Sequence, residues 1–123
     1  MKVLLSIKPE FVREIFNGSK KFEYRKAIFK NKNVNIVVIY ATMPIGKIVG
    51  EFKIGHIIEK NPYDLWEETK EFSGVNEDFY YEYFTGREKG YAISITNLKE
   101  YKNPICPYEK YENFTAPQSF KYL

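Results

Sequence analysis

One cysteine, Cys106, excludes an intramolecular disulfide. Together with the one histidine, His56, it also excludes a zinc site of ordinary composition, and nothing in the chain calls for a cofactor. Both residues read as structural: Cys106 is a loop or buried thiol between Ile105 and Pro107, and His56 is a satisfied strand residue with apolar neighbours. No apolar run approaches the ~20 residues of a membrane-spanning helix, so no membrane partner is expected. The opening Val3-Leu4-Leu5 is broken by Lys8-Pro9, so no secretory leader is read and the cytoplasm is the expected address. No repeat, low-complexity tract or linker appears. Charge of one sign is also in short supply. A net charge of +3 permits contact with nucleic acid without demanding it.

What is present is enough for one packed unit. A chain of 123 residues reads as a single domain, 1–123, able to bury roughly two thirds of its unfolded surface. An apolar content of 44% and an aromatic content of 18% argue against disorder. Basic residues crowd the early stretch (Lys20, Lys21, Arg25, Lys26, Lys30, Lys32), and acidic ones the middle, so one face is expected to be basic. The oligomeric state is not legible.

Pattern and punctuation predict the elements. Residues 2–8 read as a strand, and Pro9 opens a helix with Phe11, Val12, Ile15 and Phe16 on one face. Asn17-Gly18 stops it. Strands are expected over 22–28, 34–42 and 47–58, the last interrupted by Gly50 and Gly55 as bulges or close approaches. Asn61-Pro62 and Asn76 each start a helix, the first running to about Phe72. A strand follows over 90–97, then a loop-rich stretch from Leu98 and a last short strand near 119–122. Helices do not alternate with strands, so the class is α+β, with about six strands and two to four helices.

The densest chemistry lies in Gly18-Ser19-Lys20-Lys21-Phe22-Glu23-Tyr24-Arg25, the pattern G-x-K-x-x-E-x-R. Glu23 and Arg25 are two apart and share one face of a strand, while Phe22 and Tyr24 take the other. Lys20 lies in the turn beside them. The plain reading is a Glu23–Arg25 salt bridge on a solvated strand, but a surface pair contributes only ~0–1 kcal/mol and is a weak reason for three charges. The functional reading is a polar cleft. There Arg25 offers a fork to phosphate, carboxylate or base edge, Lys20 a point charge, and Glu23 an acceptor.

This motif, placed after a strand and a helix, resembles the signature of the ASCH domain, a branch of the PUA-like superfamily. Val37-Val38-Ile39-Tyr40-Ala41-Thr42, Ile48-Val49-Gly50-Glu51-Phe52 and Gly90-Tyr91-Ala92-Ile93-Ser94-Ile95 are similar to later strands of that family, and the ending Pro117 to Leu123 to a tail of some members. The resemblance implies a small PUA-like β-barrel that binds RNA or a nucleotide-like ligand between barrel and helices. The ligand-binding candidates are then Gly18, Lys20, Glu23, Arg25, Thr42 and Ser119. Some small members resemble amidohydrolases of N4-acylated cytidine. That reading makes Lys20, Glu23 and Glu71 the catalytic set, but Glu23 stands where those members carry a hydroxyl residue. A ribonuclease and a non-catalytic regulatory or protein-interaction module are the other readings. Tyr40, Trp66, Tyr81 and Tyr91 are candidate stacking residues, with Trp66 expected in the core and Tyr81 exposed.

Overall fold

The computed structural model describes residues 1–123. Strand β1 (Lys2–Ile7) leads through Lys8 into helix α1 (Pro9–Phe16). Lys8 is extended, at φ −62° and ψ 143°, as the following proline dictates, and Pro9 occupies the first helical turn, where no N–H is required. Strands β2 (Phe22–Arg25), β3 (Ile36–Ala41) and β4 (Lys47–Lys60) follow. Helix α2 (Pro62–Thr69), a 3-10 turn (Lys70–Phe72) and helix α3 (Glu77–Tyr83) are inserted before strand β5 (Gly90–Ile105). Helix α4 (Pro107–Lys110) and strand β6 (Phe120–Tyr122) complete the chain. No helix is long and apolar enough to cross a membrane.

The class is α+β. All six strands form one curled half-barrel sheet in the order β2-β5-β4-β3-β1-β6. Only β1 and β3 pair in parallel. The long β4–β5 ladder changes register three times, at Ile48/Gly50, Glu51/Lys53 and Ile54/Ile57, and such bulges sharpen the twist that lets a sheet curl. β1 and β3 are buried on both faces. Val3, Leu5, Val37 and Ile39 join Val12 and Ile15 of α1 in the main core, while Leu4, Val38 and Tyr40 pack outward under Phe114. The third cluster holds the site. Tyr24, Leu65, Trp66, Tyr80 and Phe84 clamp the inserted helices onto β2 and the start of β5. Each fully buried side chain of this size is worth about 1.5–3 kcal/mol.

Three boundaries lie three residues or more from expectation. β2 stops at Arg25, not residue 28, because Arg25 pairs with Tyr91 and its partner strand begins at Gly90. α2 gives way at Thr69, whose hydroxyl bonds the Leu65 carbonyl at 2.7 Å and loosens the last turn into a 3-10 turn. β5 runs on to Ile105 through the stretch read as loop, because β4 offers it a ladder: Glu51 pairs with Lys99 and Gly50 with Glu100. Asn97, at φ 47°, makes the local kink that the polar sequence suggested was an end.

Candidate functional site

Lys20 is built into the fold by its backbone. Its N–H donates to the Glu14 carbonyl of α1 at 3.0 Å, and it pairs with Ser73 in a short antiparallel bridge. Gly74, at φ +68°, closes that bridge over the lysine stem. A Cβ at Gly74 would stand 2.3 Å from the Lys20 Cβ, so only glycine fits. Lys20 is left 2% exposed. Its Nζ donates to the Ser73 carbonyl at 3.0 Å and lies 3.9 Å from Glu23 Oε1 and 4.8 Å from the centre of the Tyr24 ring. Burial pulls the Lys20 pKa below the ordinary lysine value; Glu23 opposes that shift and Arg25 adds to it.

Glu23 and Arg25 form a buried pair, their side chains 8% and 11% exposed. Arg25 Nε donates to Glu23 Oε2 at 3.1 Å, and Nη2 lies 2.8 Å from the same oxygen as an ion pair. Nη2 also donates to the Ser6 carbonyl of β1 at 2.9 Å, and Nη1 to the Ser119 carbonyl at 3.2 Å. β2 and β6 are the two edges of the sheet, so Arg25 fastens the open seam of the half-barrel. Each of its three nitrogens thus donates once inside the protein, engaging three of its five N–H groups. Glu23 Oε1, by contrast, accepts no hydrogen bond from the chain, yet no fully buried polar side-chain atom lacks a partner. That oxygen therefore faces open space.

The space is a hollow of about 250 Å³ between the β1–α1 junction, the edge of β2 and α3. Lys20, Glu23 and Arg25 line it on one side, and Phe11, Phe79 and Tyr83 on the other. The Phe79 and Tyr83 rings are parallel to within 11°, 6.3 Å apart. Two exposed lysines ride on them: Lys26 Nζ is 4.7 Å from the Tyr83 ring centre and Lys8 Nζ 5.8 Å from that of Phe79. Burial raises the Tyr24 pKa to about 12 and also raises that of Tyr83, so both phenols stay neutral at physiological pH. Tyr83 donates to the Tyr24 carbonyl at 3.3 Å, covering an acceptor on the edge strand. No group of three or more His, Cys, Asp or Glu side chains is placed to hold a metal ion.

Residues 5–117 match the ASCH domain. The chain belongs to the ASCH domain family. An ASCH domain-containing ribonuclease of Zymomonas mobilis is 29% identical over 128 residues, covering 99% of this chain and 84% of that protein. The crystal structure of ASCH from Zymomonas mobilis superposes with a TM-score of 0.91 at 29% identity, covering 99% of this chain and 87% of that one. A tyrosine-to-phenylalanine mutant of the Zymomonas protein also gives 0.91, at 28% identity, covering 99% of this chain and 89% of that one. Large ribosomal subunit protein uL22 of Ureaplasma parvum is 25% identical over 122 residues, which are 98% of this chain but 39% of that protein.

In this ASCH domain the fold brings Lys20, Glu23 and Arg25 to one hollow. Gly18, at φ +88°, is exposed in the turn before them and does not line it. Thr42 is also outside, at the head of the turn after β3, where its N–H donates to the Ile7 carbonyl. Ser119 contributes its main-chain carbonyl to Arg25; its side chain is not part of the wall. Glu71 is exposed on the 3-10 turn, away from the hollow. The aromatic wall of α3, with Lys8 and Gln118, was missed. Phe79 and Tyr83 read as core by helical spacing, but only Tyr80 between them is buried; the signal available was an α3 face with more aromatics than one core needs. Of the candidate stacking residues, Tyr40 and Trp66 are core. Tyr91 is half-buried, and so is Tyr81, against Trp66 rather than exposed. His56 is exposed beside Gly55, where the β4–β5 register shifts between Ile54 and Ile57.

Proposed function

We propose that this ASCH domain binds single-stranded RNA by taking one nucleoside into the hollow. The observation that carries the reading is Glu23 Oε1, an accessible oxygen of an otherwise buried carboxylate that accepts no hydrogen bond from the chain and opens on a cavity lined by Lys20, 3.9 Å away, and by aromatic rings. A base offers an amino or imino donor to that oxygen and its flat face to Phe79 and Tyr83, a contact worth ~1–3 kcal/mol per base. The volume, about 250 Å³, lies just under the range of ~300–1,000 Å³ for drug-sized ligands and suits a single nucleoside. Phosphate falls to Lys8, which lines the hollow, and to Lys26 over Tyr83, since each Arg25 nitrogen is already committed to Glu23, Ser6 or Ser119. A base in an A-form duplex cannot enter, so the ligand is a single strand or a loop. Anisotropy titrations of a labelled single-stranded oligoribonucleotide at two salt concentrations test this. Each phosphate contact contributes a slope of about −0.7 in log K against log salt, and Lys8→Ala and Lys26→Ala are expected to flatten it. No binding at low salt overturns the reading in favour of a protein-interaction module.

A second reading, RNA cleavage, is favoured by the near full-length similarity to a protein named as a ribonuclease. Lys20 is the candidate proton carrier, because its buried Nζ lies 3.9 Å from Glu23 at the wall of the hollow and burial lowers its pKa from the ordinary lysine value. Products on a denaturing gel that vanish with Lys20→Met support it. Hydrolysis of N4-acylated cytidine is less favoured, since Glu23 replaces the hydroxyl residue and Glu71 lies outside the hollow.

A further inference from the structure

We infer that the binding site extends past the hollow into a second one beside it, so that the preferred ligand is a phosphodiester-linked pair of nucleosides. This rests on the RNA-binding reading above. The second hollow measures about 330 Å³. It shares Lys8, Phe11, Val75 and Phe79 with the first, so the two hollows adjoin across these residues and are taken together as a trough. Phe11 and Phe79 meet edge to face, 5.1 Å between ring centres, and Lys8 stands over Phe79. A strand lying along the trough with a base in each hollow passes its linking phosphate over these shared residues, where Lys8 is the cation on hand.

Charge narrows what the outer hollow accepts. Its own walls carry Arg13, Glu10 and Glu14 from α1, and Gly74 and Asn76 ahead of α3. Glu14 already accepts from the Ser19 hydroxyl, and Asn76 Oδ1 caps α3 by accepting from the Phe79 N–H at 2.7 Å. With Lys8 the hollow carries two cations against two carboxylates, so it has no net positive charge to hold a doubly charged terminal phosphate and suits an uncharged nucleoside with amino and hydroxyl donors. The linking phosphodiester, with its single charge, sits at the shared wall. The ligand class is therefore an internal dinucleotide step rather than a mononucleotide.

Calorimetric titration with a dinucleoside monophosphate and with its component nucleoside and mononucleotide, at one salt concentration, tests the inference. The dinucleoside monophosphate is expected to bind about tenfold tighter or better, because the second nucleoside binds as a tethered group. In Arg13→Ala and Glu10→Ala, exposed positions that line only the outer hollow, the ratio of the two affinities is expected to fall toward unity. Equal affinities in the wild type, or an unchanged ratio in both variants, overturn the extended site while leaving the inner hollow as a nucleotide site. Failure of every probe to bind overturns both.

Discussion

Replacing Arg25 with alanine is expected to destabilise the fold by about 3 kcal/mol, the lower end of the ~3–5 kcal/mol that follows from breaking a buried ion pair on one side. The side chains of Glu23 and Arg25 are only 8% and 11% exposed, so the ~0–1 kcal/mol of a solvated bridge does not apply. Truncation leaves the Glu23 carboxylate without the guanidinium nitrogens at 2.8 and 3.1 Å and strips the Ser6 and Ser119 carbonyls of their donors. Lys20, 3.9 Å from the other carboxylate oxygen, compensates in part and sets the estimate at the low end. Against a total of roughly 5–15 kcal/mol, the variant still folds but is marginal. Two companions separate charge from seam. Arg25→Lys keeps a cation but cannot reach Glu23, Ser6 and Ser119 together, and is expected to fall between wild type and alanine. Arg25→Ala with Glu23→Gln removes the orphaned charge and is expected to recover much of the loss. Urea denaturation at constant slope measures all three, and faster amide exchange in β6 reports an opened seam. A loss below about 1 kcal/mol for Arg25→Ala would refute the buried-clip account.

Lys20→Met is expected to change stability by no more than about 1–2 kcal/mol, since relief of a buried cation offsets the unpaired Ser73 carbonyl and Glu23 keeps Arg25. The same change is expected to abolish RNA binding; a folded variant that binds as tightly as wild type contradicts the site. The Lys20 pKa lies below its unfolded value of 10.5, so between the two the unfolded chain holds more protons and wild-type stability gains with rising pH. Melting curves across this range should therefore shift the balance toward wild type over Lys20→Met as pH approaches 10.5, and a constant difference would contradict a buried ionised lysine. Tyr24 acts in the opposite sense: its folded pKa of about 12 exceeds the unfolded 10.0, so its contribution is intact below pH 10 and lost between 10 and 12.

Features confined to one turn of chain were legible before any fold. Pro9 and Asn61-Pro62 start helices, and Asn61 and Asn76 accept from Asp64 and Phe79 N–H groups three residues on, at 2.9 and 2.7 Å. The succession of elements along the chain and the spacing of the charged motif were likewise in the sequence, since period and punctuation are local properties, whereas the order of the strands in the sheet was not. Burial of Lys20 was not, because it needs the Ser73 carbonyl 53 residues away, nor was the commitment of Arg25 to Ser119, 94 residues away. The second half of β5 carries polar residues and Asn97, and becomes strand only because β4 lies alongside it. Side-chain type and spacing thus determined which groups this ASCH domain could bring to a site. Only tertiary packing decided which became partners of one another and which were left facing a ligand, because desolvation and hydrogen-bond satisfaction depend on neighbours that the chain supplies from its far end.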